Sequence, residues 1–71
     1  MEIHERLKIA RERSELKQIE VAEAIGIKQQ QISRMESGKF NPRIDLLTDL
    51  CKLYKVSADY ILGLPRGMKY P

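Results

Sequence analysis

QIEVAEAIGIKQQQISRME, residues Gln18 to Glu36, decides the fold of this chain. Val21, Ala22 and Ile25 fall on one face of a helix that fits Gln18 to Ile25. Gly26 follows as a residue able to take positive φ and end that helix. A second helix fits Gln29 to about Ser37, with Ile32 and Met35 facing inward and Gly38 ending it. Two short helices joined through a glycine must cross steeply and pack closely. Ala22 must then be small, because the following helix passes over it. Gly26 makes the turn where a β-carbon would cost energy. Val21, Ile25, Ile27, Ile32 and Met35 are expected to plug the space between the helices and the rest of the core.

The flanks read as helices too. Ile3, Leu7, Ala10 and Ser14 recur at helical spacing and predict a first helix ending near Ser14. Phe40, Asn41 and Pro42 form a connection, with Pro42 just before or at the start of the next helix. Ile44, Leu47, Leu50, Cys51 and Tyr54 predict the inner face of a fourth helix. Ser57 can N-cap a short fifth helix carrying Tyr60, Ile61 and Leu62 and ended by Gly63. The expectation is one all-α domain over residues 1–64, with an irregular tail over 65–71. No strand is needed, and no repeat or linker is evident.

Bulk properties narrow the function. Seventy-one residues make one domain with little room for a deep catalytic cleft. Cys51 and His4 are the lone cysteine and histidine, so the chain can form no internal disulfide and no zinc set. A reducing cytosol is the expected setting. The charged N-terminus MEIHERLKIARER lacks a signal-peptide core, and no apolar run approaches the ~20 residues of a membrane span. No nucleophile–base pair, metal set or phosphate loop is found, so an enzyme is not expected, nor a cofactor. Glu12, Glu15, Glu20 and Glu23 read as solvated helix faces.

The net charge is +3, and its distribution matters more than its size. Residues 1–27 sum to −1 and residues 44–71 to +1, whereas residues 28–43 carry Lys28, Arg34, Lys39 and Arg43 against Glu36 alone. The excess thus lies in one central segment, either an electrostatic footprint for phosphates or a solvated face that is basic by chance.

The stretch from Gln18 to Glu36 resembles the helix-turn-helix of the phage Cro and C1 repressors and their bacterial relatives, the Xre family. Counting Gln18 as first, that pattern wants a small residue fifth and a glycine ninth, met by Ala22 and Gly26. It wants apolar residues fourth, eighth, tenth, fifteenth and eighteenth, met by Val21, Ile25, Ile27, Ile32 and Met35. Glu36-Ser37-Gly38-Lys39 with Asn41-Pro42 is similar to the family's loop after the recognition helix. Val56 to Gly63 is similar to its closing helix. The resemblance covers roughly Leu7 to Gly63. It implies a compact five-helix, lambda-repressor-like DNA-binding domain whose helices 2 and 3 form the helix-turn-helix.

In such a domain the third helix lies in the major groove and presents its N-terminal residues to base edges. Here these are Lys28, Gln29, Gln30 and Gln31, with Arg34 a turn further on. Glutamine can pair with adenine N6/N7 and arginine with guanine O6/N7. Gln29, Gln30 and Arg34 are therefore expected to read bases, while Gln31 and Ser33 could meet bases or phosphates. Gln18, at a helix N-terminus, is assigned a phosphate contact by the resemblance. Lys17 stands where the family often has a capping Ser, Thr or Asn, which weakens the cap but puts a cation near a phosphate. Lys28, Lys39, Asn41 and Arg43 are expected on the sugar-phosphate backbone, where contacts position without reading sequence.

The resemblance also implies a structural ion pair between Arg11 and Glu36, locking the recognition helix to the first helix. Lys55 stands where the family often has glycine, a departure that puts the end of the fourth helix in question. His4 is expected on the surface, Cys51 as a small core residue, and Tyr54 and Tyr60 in packing.

The partner implied is double-stranded DNA, bound by a homodimer, since one recognition helix reads few base pairs and a two-fold pair matches a palindromic operator. Leu46, Leu53, Ala58, Ile61, Leu62 and Leu64, with Met68 beyond them, are the candidates for its apolar interface. The function expected is a cytoplasmic transcriptional regulator of bacterial or phage type, a repressor that occludes a promoter, with a protein partner able to modulate it. The alternative is a protein-interaction module on the same fold, such as an antitoxin or accessory subunit. The three glutamines and the basic segment favour DNA.

Overall fold

The computed structural model describes residues 1–65, and five helices make up its regular structure: α1 (Ile3–Arg13), α2 (Gln18–Ile25), α3 (Gln29–Glu36), α4 (Ile44–Tyr54) and α5 (Ala58–Leu62). The tail over residues 66–71, Met68 included, lies outside the described residues.

Three of the five helices start in the same way. The backbone N–H of Glu2, Lys17 and Lys28 donates to the side chain three residues on, to Glu5 Oε1 at 2.8 Å, Glu20 Oε1 at 2.8 Å and Gln31 Oε1 at 3.2 Å. Each is one half of a capping box, without the Ser or Thr that would supply the other half. Lys17 thus keeps a capped helix although its own side chain has no acceptor. α5 uses the other device, in which Ser57 Oγ accepts from the Tyr60 N–H at 3.2 Å.

The turn between α2 and α3 depends on backbone conformation. Gly26 sits at φ 86°, and a β-carbon there would meet no atom within 4 Å. Its need for glycine is therefore one of φ and not of space. Its N–H and that of Ile27 both return to the Ala22 carbonyl, at 2.8 and 3.0 Å. Lys55 ends α4 in the left-handed region at φ 57°. The chain thus adopts there the geometry that glycine would favour, and lysine bears the cost. Glu15 takes the same region at φ 58° between α1 and α2.

Every helix gives to the core: Leu7 and Ala10 from α1, Val21 and Ala22 from α2, Ile32 and Met35 from α3, Leu50 and Tyr54 from α4, and Ile61 from α5. Ile3, Leu16, Ile25, Ile27, Leu47 and Cys51 pack against this cluster as partly buried residues.

Three expectations need correction. Ile44 is 83% exposed, not an inner residue of α4, because it opens the helix before the chain has turned into the core. Ile61 is fully buried among the core residues and cannot face a second subunit. His4 is half-buried: its ring lies against the turn after α3, so close to Gly38 that a β-carbon there would sit 2.9 Å from the imidazole.

Candidate nucleic-acid interface

α3 is divided by its own periodicity. Ile32, Met35 and Glu36 are its buried residues, and they fall on one side at helical spacing. Gln30, Ser33, Arg34 and Ser37 lie opposite and are exposed. Gln29 and Gln31, also exposed, flank that face on its two sides. Gln31 shares a shallow depression with Phe40, Asn41, Arg43 and Leu46, where the chain leads from α3 into α4. Its Oε1 already accepts from the Lys28 N–H, so its amide NH2 is the readier group to offer a ligand.

The cations named from the sequence are all on the surface. Lys17, Lys28, Arg34, Lys39 and Arg43 are all exposed, as is Asn41. Glu36, the one acid in the basic segment, is turned inward and is only 7% exposed. Its negative charge is met inside the fold, so the outer face of residues 28–43 is more basic than their count suggests.

The inward pairing is a fork. Arg11 Nε donates to Glu36 Oε2 at 2.7 Å and Arg11 Nη2 to Glu36 Oε1 at 3.0 Å. Arg11 Nη1 donates to the Leu16 carbonyl at 2.8 Å. Such a bidentate, charge-assisted pair fixes geometry as well as adding energy. The bond to Glu36 holds the guanidinium charged more firmly than usual. Gln18 Nε2 donates to the same Glu36 Oε1 at 3.1 Å. Gln18 is half-buried, and one of its amide hydrogens is committed inward.

Tyr54 completes the surroundings. It is 5% exposed, and its hydroxyl finds no hydrogen-bond partner among the described residues. Burial pushes its phenol above the usual tyrosine range; the Glu36 charge adds to this and Arg11 opposes it. Burial likewise raises the Cys51 thiol. Gln18's inward bond, the caps supplied by Glu5, Glu20 and Gln31, and the His4 contact went unread in the sequence. The caps had a legible signal, an acid or amide three residues after each helix start. The other two depend on tertiary approach and had none.

Among the described residues no helix is long and apolar enough to cross a membrane.

A family model described as a helix-turn-helix, of the Cro/C1 type, matches residues 7–61. Two relatives from Bacillus subtilis (strain 168) are similar to the chain. The HTH-type transcriptional regulator ImmR is 40% identical over 63 residues, which are 89% of this chain and 50% of that protein. The uncharacterized HTH-type transcriptional regulator YobD is 40% identical over 60 residues, 84% of this chain and 54% of that protein. The chain thus spans about half the length of these relatives. Because the matched span carries both helices of the turn and every buried core position from Leu7 to Ile61, the chain belongs to the Cro/C1-type helix-turn-helix family.

Proposed function

We propose that this chain is a DNA-binding transcriptional regulator, not an enzyme, and that it acts as a repressor on a palindromic operator. The observation that carries the reading is the outer face of α3. It offers amides and a guanidinium to a ligand, on a helix buried along its opposite side and within a segment whose lysines and arginines are exposed. The names of the two relatives, both HTH-type transcriptional regulators, point the same way.

In this reading Gln29, Gln30 and Arg34 read base edges in the major groove, and Gln31 reaches a base or phosphate through its NH2. Lys17, Gln18, Lys28, Ser33, Lys39, Asn41 and Arg43 hold the sugar-phosphate backbone. At 1.5 Å per residue the eight residues of α3 are only about 12 Å long. One copy therefore reads too few base pairs for a specific site, and a two-fold pair doubles the readout.

For the second copy the best surface is the apolar groove between α4 and α5, lined by Ile44, Leu47, Cys51, Val56, Ala58 and Leu62. It begins at Ile44, directly after Arg43. Leu64 is exposed but lies outside this groove, beside Arg6, Asp59 and Tyr60. Leu46 and Leu53 do not line this groove and contribute less.

The test separates readers from positioners. Gln30→Ala and Arg34→Ala should each relax preference at one base position, at a cost of ~1–3 kcal/mol. Lys39→Ala and Arg43→Ala should weaken binding to all sequences alike and flatten the log–log salt dependence by about 0.9 each. An Arg34 variant that loses affinity with its base preference intact would move Arg34 to the phosphates.

A further inference from the structure

One carboxylate ties three helices together. Glu36, on α3, accepts from Arg11 of α1 through both oxygens and from Gln18 of α2 through Oε1. Through Nη1, Arg11 also holds the Leu16 carbonyl, in the segment that leads into α2. Leu16, Lys17 and Gln18 are thereby fixed relative to the recognition helix from two sides.

The geometry points to Glu36 as a positioning residue for DNA binding: buried beneath the interface, it orients the Gln18 amide so that its second N–H meets a phosphate. This inference rests on the DNA-binding reading above. A carboxylate only accepts, so the end of the Gln18 amide that faces it must be the NH2. One of that group's hydrogens is taken by Glu36, and the planar amide then fixes the direction of the other. Gln18 is the first residue of α2, where backbone N–H groups lack helical partners and also suit an anion. A freely rotating glutamine would lose rotamer entropy on meeting a phosphate, whereas this one is ordered beforehand.

A thermodynamic cycle on DNA affinity tests the coupling, with Gln18→Ala, Glu36→Gln and the double variant, each held at a temperature where circular dichroism shows it fully folded. A glutamine at 36 is also a donor and cannot satisfy Arg11 and Gln18 together. Gln18→Ala should lose about tenfold in affinity, the scale of one hydrogen bond to a charged group. Glu36→Gln should lose a similar factor in the parent chain and less than about threefold once Gln18 is alanine. Losses that multiply in the double variant overturn the inference while leaving DNA binding in place. A parent chain that binds no DNA overturns the reading beneath it instead. Should Glu36→Gln not fold, side-chain amide spectra of the parent chain give the answer. The Gln18 NH2 pair should be shifted and as rigid as the backbone, and a pair as mobile as those of Gln29 and Gln30 overturns the inference.

Discussion

Replacing Arg11 by alanine removes three donors at once. Glu36 loses both arms of the guanidinium and keeps one contact, the 3.1 Å bond from Gln18, while the Leu16 carbonyl loses its side-chain partner. The Glu36 side chain is only 3% exposed, so water cannot readily replace what is lost. Breaking a buried pair on one side costs about 3–5 kcal/mol, because it strands the other charge. The Arg11 side chain is 11% exposed and Gln18 remains, which places the expected cost near the lower end, about 3 kcal/mol. A domain of this size has roughly 4–10 kcal/mol in total. The variant should stay folded in the cold and melt about 15 °C lower. Arg11→Lys, which keeps the charge without the fork, should fall between the two. The assay is thermal unfolding by circular dichroism beside DNA titration at a temperature where both chains are folded. There the Arg11 variant should bind DNA with little loss beyond what the Gln18 coupling carries. Unchanged melting together with lost binding would refute the reasoning, since it would put Arg11 on the DNA and not on Glu36.

The left-handed positions make opposite predictions. Gly26→Ala should cost about 1–2 kcal/mol through backbone conformation alone, and Lys55→Gly should stabilise by about 0.5–1 kcal/mol, both read from thermal melts. Tyr54→Phe removes a buried hydroxyl that has no hydrogen-bond partner among the described residues and should leave neutral-pH stability equal or about 1 kcal/mol higher. Because the folded phenol titrates above its ordinary value, its contribution is whole below about pH 10 and is lost as pH rises toward the folded value. The alkaline fall in parent stability should therefore be shallower in the phenylalanine variant, as denaturant midpoints across pH would record. Ile44→Asp changes an exposed residue at a helix N-terminus, where an acid is welcome. It should weaken self-association at least tenfold in sedimentation equilibrium without lowering the melting temperature of the monomer.

The sequence carries most of this fold because its signals are local. Ala22, Gly26 and the apolar positions around them state the crossing of α2 and α3 within eighteen residues. Gly63 and Ser57 bracket α5 in the same way. What stayed hidden was decided at a distance. Ile44 has the spacing of a core residue, but it stands at the mouth of α4, where the helix has not yet met its neighbours. Ile61 is apolar near the C-terminal end, and only the packing of α5 on α1 and α4 shows that it closes the core. Gln18 and Gln31 look like free polar side chains in the sequence. Each has one end bound within the protein, Gln18 by an acid eighteen positions away and Gln31 by a helix start. That difference bears directly on the site, since it limits what each amide can offer DNA and in which direction.

That α3 reads DNA sequence is put to the test by selection of binding sites from a random duplex pool with the purified chain. An enriched inverted repeat, with half-sites about one helical turn apart and an affinity that falls steeply with salt, is the predicted result. Weak, salt-sensitive binding to all duplexes with no enriched sequence would contradict it, and would mean that the amides and Arg34 on the outer face of α3 do not read bases.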